Sequence, residues 1–192
     1  MSYPVYKRIT CEHEIRRSCC FISLGKVNFF VQRTIDWDDK TDSVTLIDQT
    51  LLPRKLQSVQ ASTVHSLVHA IKTMQVRGAP AIGVAGAMGI ALAARKASKS
   101  AKNKSELLNK IKKDAKSLEH ARPTAVNLAW GVKEAIDFLK ELPDSIDPRD
   151  AAKKEIEFVK KLADKDVNVN KELSKIGQEL IQRNASILTH CN

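Results

Sequence analysis

The chain has 192 residues, of which 43% are hydrophobic and 5% aromatic, and its formal net charge is +10 at pH 7. No apolar run reaches the roughly 20 residues that a membrane-spanning helix needs, so we expect no membrane association. The first residues lead into charged positions rather than into a continuous apolar stretch, which argues against a secretory signal. We therefore expect a cytoplasmic chain whose core is packed from Ala, Val, Ile and Leu.

Three of the four cysteines lie within residues 1–32. Their irregular spacing, with two of them adjacent, matches neither a zinc-ligand pattern nor a disulfide framework. We therefore expect reduced thiols, no bound metal and no cofactor. Two interpretations of residues 1–32 stay open: an extension added by start-site choice, or a genuine strand-forming segment, since residues 21–24 and 27–31 are rich in β-type side chains.

The next elements are a hairpin and a series of helices. Residues 33–37 and 43–47 are predicted to be strands joined by a polar turn at 38–42. Six helices follow, each bounded by proline, glycine or Ser/Asp/Asn signals: 62–75, 80–97, 105–119, 123–142, 148–165 and 168–183. Their short connections predict a bundle-like domain.

The residues before the fourth cysteine form an apolar run that predicts a buried strand at 187–189. Such a strand needs neighbours, and none of comparable character follows it. The predicted fold class is therefore α+β: an N-terminal hairpin and a helical bundle-like domain, then the first strand of a truncated Rossmann-like α/β domain. The predicted divisions are 1–32, 33–165 and 166–192.

The segment from Gln75 to Gly86 is the most informative in the chain. Arg77 and Gly78 directly precede Ala79 and Pro80, and proline is favoured in the first turn of a helix. The N-terminal turn of a helix carries unpaired N–H groups and a partial positive charge, so an anion could be held there. The alternative is a tight turn in which the following glycines merely allow close helix packing.

A second segment of the same kind begins at Arg122, which precedes Pro123 and an apolar helix. Its buried stripe is predicted to be Leu128, Val132, Ala135 and Leu139. Two such segments could converge on one anion, and the planar guanidinium of arginine binds phosphate bidentately.

The net positive charge does not by itself indicate nucleic-acid binding. Much of it lies in segments such as 99–116, where Leu107, Leu108 and Ile111 recur at helical spacing and the lysines are expected to face outward. Lysines without interleaved aromatic residues make a poor surface for base stacking. We therefore expect no specific nucleic-acid partner.

Five motifs together make the chain resemble a known family. They are residues 33–37, residues 46–53, the Arg77 and Arg122 segments, and the terminal run Ile187-Leu188-Thr189-His190-Cys191-Asn192. From residue 33 onward the chain is similar to the N-terminal half of the S-methyl-5-thioribose-1-phosphate isomerases. Their family also holds the alpha, beta and delta subunits of translation initiation factor 2B.

The resemblance implies an aldose–ketose isomerase of methionine salvage that converts 5-methylthioribose 1-phosphate to 5-methylthioribulose 1-phosphate. It implies that Arg77, Gly78, Ala79 and Arg122 bind the sugar-phosphate substrate and that Cys191 is catalytic. A thiol could serve as the base if its pKa were lowered toward neutrality. The resemblance also implies a homodimer for the complete protein.

The family's catalytic aspartate, in a Thr-Asp-Ser context, has no counterpart in this sequence. We therefore expect the chain by itself to be an inactive fragment. The alternative functions are a regulatory subunit similar to initiation factor 2B and a related ribose-1,5-bisphosphate isomerase.

Overall fold

The computed structural model describes residues 33–182 and 185–186. The strands are β1 (Ile35–Asp38), β2 (Ser43–Ile47) and β3 (Ser58–Ala61). The helices are α1 (Val64–Lys72), α2 (Ala79–Ser98), α3 (Lys104–Glu119), α4 (Val126–Glu141) and α5 (Pro148–Gly177), followed by a 3-10 turn at Gln178–Leu180. The predicted α+β class is confirmed by these elements. The strand-like segments at 21–24, 27–31 and 187–189 lie outside the described residues.

The predicted hairpin is present, and a third strand extends it. β2 pairs antiparallel with both β1 and β3, in the order β1-β2-β3. Alternation puts one face of the sheet into the core, and its buried members are Ile35, Trp37, Val44, Leu46 and Ala61. The sequence did not indicate β3, because a four-residue strand with one large apolar side chain carries almost no periodic signal.

Helix α2 is the centre of residues 33–167, which form one compact unit. Every residue from Ile82 to Ala94 is buried, as expected for a helix that is apolar on all sides. The helix contacts α1, α3, α4 and β1.

The contact between α2 and α4 depends on glycine. A Cβ built on Gly131 would lie 2.0 Å from the main-chain oxygen of Gly83, and one built on Gly86 would lie 2.8 Å from that of Leu128. The two main chains therefore touch directly, which confirms the packing role considered for the α2 glycines. The predicted α4 stripe is also confirmed, since all four of its side chains are 0% exposed.

Helix α5 corrects two of the predicted helices. The sequence favoured separate helices at 148–165 and 168–183, whereas one helix runs from Pro148 to Gly177. No proline or glycine lies between its ends, so nothing at residues 166–167 breaks the main-chain hydrogen bonding. The predicted division at 165/166 stays a prediction.

The first part of α5 is fixed to the core unit by specific contacts. Phe158 stacks on Phe138 of α4, with ring centroids 4.3 Å apart. Lys160 pairs with Asp39 at 2.6 Å. Residues 168–182 fall outside the compact unit of residues 33–167, and all of them are exposed except the half-buried Gly177.

One lysine of α3 contradicts the expectation that the lysines of this segment face outward. Lys104 is 7% exposed, and its Nζ donates to the main-chain oxygens of Lys140, at 2.9 Å, and Leu142. It also pairs with Asp144 at 2.7 Å. The carbonyls at the end of α4 lack helical partners, and a cation at that end interacts favourably with the helix dipole.

Glu155 is a fully buried carboxyl group in α5, with 0% exposure. Neither of its oxygens has a hydrogen-bond partner within the described part of the chain. Burial alone raises the pKa of Glu155 to about 9 from its ordinary value of 4.5. The group is therefore protonated in the folded chain at neutral pH.

The glycine contact leads to a first prediction. Gly131→Ala should lower the free energy of unfolding by about 3 kcal/mol or more, because the new methyl group collides with main chain that cannot rotate away. Gly177→Ala is the matched control, since Gly177 has a helical φ of −65° and nothing within 4 Å of an added Cβ. It should leave stability unchanged or raise it by up to about 1 kcal/mol. Equal effects in urea unfolding would contradict the assigned role of Gly131.

Glu155 leads to a second prediction. The raised pKa means that Glu155 stays protonated in the folded state at pH values where it releases its proton in the unfolded state. The contribution of this proton to the free energy of unfolding is complete below the unfolded pKa, and it is lost as pH rises toward the folded pKa. Relative to Glu155→Gln, the parent should lose about 1.4 kcal/mol per pH unit between pH 5 and 8. Urea unfolding across that range measures the difference. Glu157→Gln, at an exposed position of the same helix, should show no such slope, and a flat difference for Glu155→Gln would refute the prediction.

Candidate functional site

The Arg77 segment is a short, tightly bonded turn between α1 and α2. The N–H groups of Gln75 and Val76 both donate to the oxygen of Ala70, at 2.9 and 3.4 Å, and Val76 is fully buried. Arg77 follows, half-buried. The buried side chain of Val76 therefore fixes the position of the main chain from which the Arg77 side chain extends.

Gly78 is the N-cap residue of α2 and has a φ of +93°. A side chain is strained in this left-handed region, so glycine is favoured there even though nothing lies within 4 Å of an added Cβ. Ala79 and Pro80 then begin the helix and are exposed. The start predicted at Pro80 is thus correct to within one residue.

The segment after β2 holds this turn in place. Gln49 donates its main-chain N–H to the oxygen of Gln75 at 2.9 Å and its side-chain amide to the oxygen of Arg77 at 3.0 Å. The Gln75 amide in turn donates to Asp48 at 3.0 Å. Sequence reasoning gave Asp48 and Gln49 no function beyond membership of a motif, so their positioning role was missed.

Asp48 is a buried carboxylate with several donors. Its Oδ1 accepts from the hydroxyl of Thr50 at 2.5 Å and from the Thr50 N–H at 3.0 Å. The Thr50 hydroxyl is the main cause that lowers the pKa of Asp48, and the Thr50 N–H and the Gln75 amide add to it against the opposing effect of burial. The charged form of Asp48 is therefore the one that this turn stabilises.

The Arg122 segment differs from its prediction in one respect. The helix predicted from residue 123 begins at Val126, so Pro123 lies in the preceding turn rather than in the helix. The Ala125 N–H donates to the oxygen of Arg122 at 2.9 Å, which closes that turn. A proline can sit before a helix as readily as at its first position, and the sequence alone does not separate the two cases.

The α2–α4 contact brings the starts of the two helices together. A Cβ on Gly83, in the second turn of α2, would lie 3.0 Å from the oxygen of Asn127 and 3.4 Å from the Trp130 ring. Both partners belong to the first turns of α4. The Arg77 and Arg122 segments therefore precede helix ends that are in contact.

Both arginine side chains are half-buried. Within residues 33–182, no carboxylate or carbonyl group accepts a hydrogen bond from the guanidinium of Arg77 or Arg122. A partly buried guanidinium without a protein partner suits recognition of an anion, because its donors remain available. The 20-residue helix α2 begins directly after the Arg77 segment, and the N–H groups of its first turn have no partner within the helix.

Cys191 lies outside the described residues, so its predicted role stays a prediction. The described residues contain no group of three or more His, Cys, Asp or Glu side chains that could hold a metal ion. Nor does any helix in the described ranges combine the length and the apolar character needed to cross a bilayer.

Comparison with known proteins adds to this geometry. A model of the initiation factor 2 subunit family matches residues 75–192, which include both arginine segments. The chain belongs to this family. The match confirms the family suggested by the sequence motifs.

Curated relatives of the chain carry the name of one enzyme. A putative methylthioribose-1-phosphate isomerase of Methanosarcina acetivorans is 41% identical over 162 residues, covering 84% of this chain and 45% of the relative. A methylthioribose-1-phosphate isomerase of Herpetosiphon aurantiacus is 35% identical over 162 residues. The chain thus spans less than half the length of the curated relatives it matches.

Two solved structures share the fold. The 5-methylthioribose 1-phosphate isomerase of Pyrococcus horikoshii superposes with a TM-score of 0.70 at 36% identity, covering 78% of this chain and 40% of that one. Subunit delta of translation initiation factor eIF-2B from A. fulgidus superposes with a TM-score of 0.66 at 41% identity, covering 78% and 42%.

The Asp48 geometry leads to a third prediction. Asp48→Asn should lower the free energy of unfolding at pH 7 by about 1–3 kcal/mol, because charge-assisted hydrogen bonds become neutral ones. A lowered pKa stabilises the fold above the unfolded pKa, and this stabilisation is lost as pH falls through the folded pKa. The gap between parent and variant should therefore close in acid. Urea unfolding at pH 7 and below pH 4 measures it, with Asp114→Asn on α3 as control. A gap that stays constant would contradict the assignment.

Proposed function

We propose that residues 33–192 form the phosphate-binding half of an aldose–ketose isomerase acting on 5-methylthioribose 1-phosphate. The observation that carries the proposal is the pair of half-buried arginines, without acceptors in the described region, that precede two touching helix ends. The names of the relatives support the substrate, since both curated relatives described above are named as methylthioribose-1-phosphate isomerases. The protein would act in methionine salvage.

In this proposal the residues that the structure describes bind the substrate phosphate and take no part in the proton transfer. Arg77 and Arg122 bind the phosphate bidentately, while the N–H groups at the start of α2 donate hydrogen bonds to its remaining oxygens. Gly78 keeps the approach to the helix end open, because no side chain projects from it. Asp48 and Gln49 hold the Arg77 turn, so that little conformational freedom is lost when the anion binds.

The proposed base is Cys191, by resemblance to the family. A carbon-bound proton must move between adjacent carbons in an aldose–ketose conversion, and a thiolate can take it once its pKa is near neutrality. The acid partner is proposed to come from the region that follows position 192 in the relatives. A cytoplasmic location and a homodimer for the complete protein also stay predictions.

A second candidate is a regulatory subunit that keeps the sugar-phosphate site as a sensor. The observation in its favour is the likeness to subunit delta of eIF-2B from A. fulgidus. The two candidates differ in one measurable respect: a sensor binds the sugar phosphate without converting it.

The experiment that tests the enzyme proposal uses the chain continued by the remaining residues of the Methanosarcina relative. This chimera should convert 5-methylthioribose 1-phosphate to its ketose, followed by NMR of the sugar protons, with chelator present and no nucleotide added. The 192-residue chain is the negative control. Binding without conversion by a folded chimera would favour the sensor, and activity only after a divalent metal is restored would contradict the metal-free mechanism.

The arginines lead to a fourth prediction, made in the same chimera. Arg77→Lys and Arg122→Lys should each raise KM about tenfold or more, because lysine keeps the charge but cannot form the bidentate contact. Arg149→Lys, at an exposed position of α5, is the matched control and should leave KM unchanged. An unchanged KM and kcat in Arg77→Lys would mean that Arg77 does not bind the phosphate and has a structural role instead.

A further inference from the structure

Five large hydrophobic side chains are exposed within residues 33–167, and each lies in a segment next to one of the two arginines. Two are in the loop after β2 that holds the Arg77 turn, one directly precedes that turn, and two are in the first turns of α4, after Arg122. They are Leu52, Leu56, Met74, Val126 and Trp130. Hydrophobic residues exposed singly are common on protein surfaces, but a set that borders one candidate site is typical of a binding surface.

Trp130 is the largest of the five, and the contact between α2 and α4 fixes its position. Its ring carbons Cε3 and Cζ3 each lie 3.4 Å from a Cβ built on Gly83, so the indole packs directly against the main chain of α2. The residue is nevertheless 44% exposed. Val126, four residues earlier on the same face of α4, is 78% exposed and extends this apolar surface toward Arg122. The indole is thus ordered by the fold and still accessible to a ligand, which lowers the entropy lost on binding.

The indole lies about one sugar ring from the proposed phosphate position. Gly78 and Gly83 are about 7.5 Å apart along the axis of α2, at a rise of about 1.5 Å per residue. In 5-methylthioribose 1-phosphate the phosphate is on C1 and the methylthio group is on C5, so the two groups lie on opposite sides of the ring oxygen. A ribose ring whose phosphate is bound at the start of α2 therefore has the size needed to bring its C5 substituent to Trp130.

We propose that Trp130 binds the C5 substituent of the sugar phosphate and selects an apolar alkylthio group at that position. The inference rests on the proposed function, since it needs the phosphate to be bound at the two arginine segments. A thioether sulfur packs favourably against an aromatic ring, and its methyl group is removed from water there.

The same side chain disfavours a second phosphate on C5. An indole offers a charged oxygen one N–H donor and no positive charge, and an anion next to an apolar ring loses hydration without compensation. Trp130 thus distinguishes 5-methylthioribose 1-phosphate from ribose 1,5-bisphosphate, the substrate of the related isomerase considered as an alternative.

The experiment measures kcat and KM for two substrates in the chimera described above. One is 5-methylthioribose 1-phosphate, and the other is 5-deoxyribose 1-phosphate, which keeps the phosphate and lacks the methylthio group. The parent chimera should prefer the first by about tenfold or more in kcat/KM. Trp130→Ala should remove most of this preference by raising KM for the first substrate, while KM for the second stays unchanged and reports that the site is folded. Trp130→Phe, which keeps an aromatic ring, should retain most of the preference.

Ribose 1,5-bisphosphate provides a second comparison. The parent chimera should use it at least about tenfold less efficiently than the methylthio substrate. Trp130→Lys, which places a cation at the same position, should narrow that difference in kcat/KM, whereas Trp130→Phe should not.

Three outcomes would overturn the inference. A parent that does not distinguish the methylthio and deoxy substrates, or a Trp130→Ala variant that affects both equally, would do so and leave the proposed function standing. Better use of ribose 1,5-bisphosphate by the parent would mean that a cation such as Lys55, exposed in the loop after β2, faces the C5 substituent instead. If the chimera binds without converting, the same comparisons are made on Kd. A folded chimera that binds neither sugar phosphate would overturn the proposed function and this inference with it.

Discussion

The main-chain contact between α2 and α4 is the constraint on which the rest of the compact unit depends. It requires glycine on both helices, since a methyl group on Gly131 would overlap the oxygen of Gly83. Small residues bury little apolar area each, so the stabilisation comes from the close approach itself and from the many dispersion contacts it allows. The same approach brings together the two helix ends that follow the arginine segments. Packing and the candidate site are therefore consequences of one contact.

Two buried carboxyl groups of this fold have pKa values shifted in opposite directions. Asp48 is surrounded by donors, which lower its pKa and keep it ionised where it orders the Arg77 turn. Glu155 has no donor among the described residues, and burial raises its pKa to about 9. The first group stabilises the fold near neutral pH, whereas the second makes the fold hold a proton that the unfolded chain would release. Of the two buried carboxyl groups, the one beside the candidate site is thus the one with hydrogen-bond partners.

Local patterns predicted much of this arrangement, and long-range contacts account for most of what they missed. The hairpin, the start of α2 and the α4 stripe follow from alternation, a turn signal and helical periodicity, all of which are properties of neighbouring residues. The inward position of Lys104 depends instead on carbonyls 36 and 38 residues away, at the end of α4. The hydrogen bond from the Gln49 side-chain amide to the oxygen of Arg77 joins residues that are 28 positions apart. The start of α4 and the unbroken α5 were misjudged because proline and Asp/Asn clusters are weak markers of a boundary.

The α2–α4 contact also places one of the chain's two fluorescent indoles beside the candidate site. The sequence contains two tryptophans, Trp37 and Trp130. Trp37 is 5% exposed within the sheet face of the core, whereas Trp130 is 44% exposed and lies against Gly83 beside the paired helix ends. One indole is therefore shielded from water and from soluble quenchers, and the other is accessible to both. The chain thus carries a built-in pair of optical reporters, one for the integrity of its core and one for events at the candidate site.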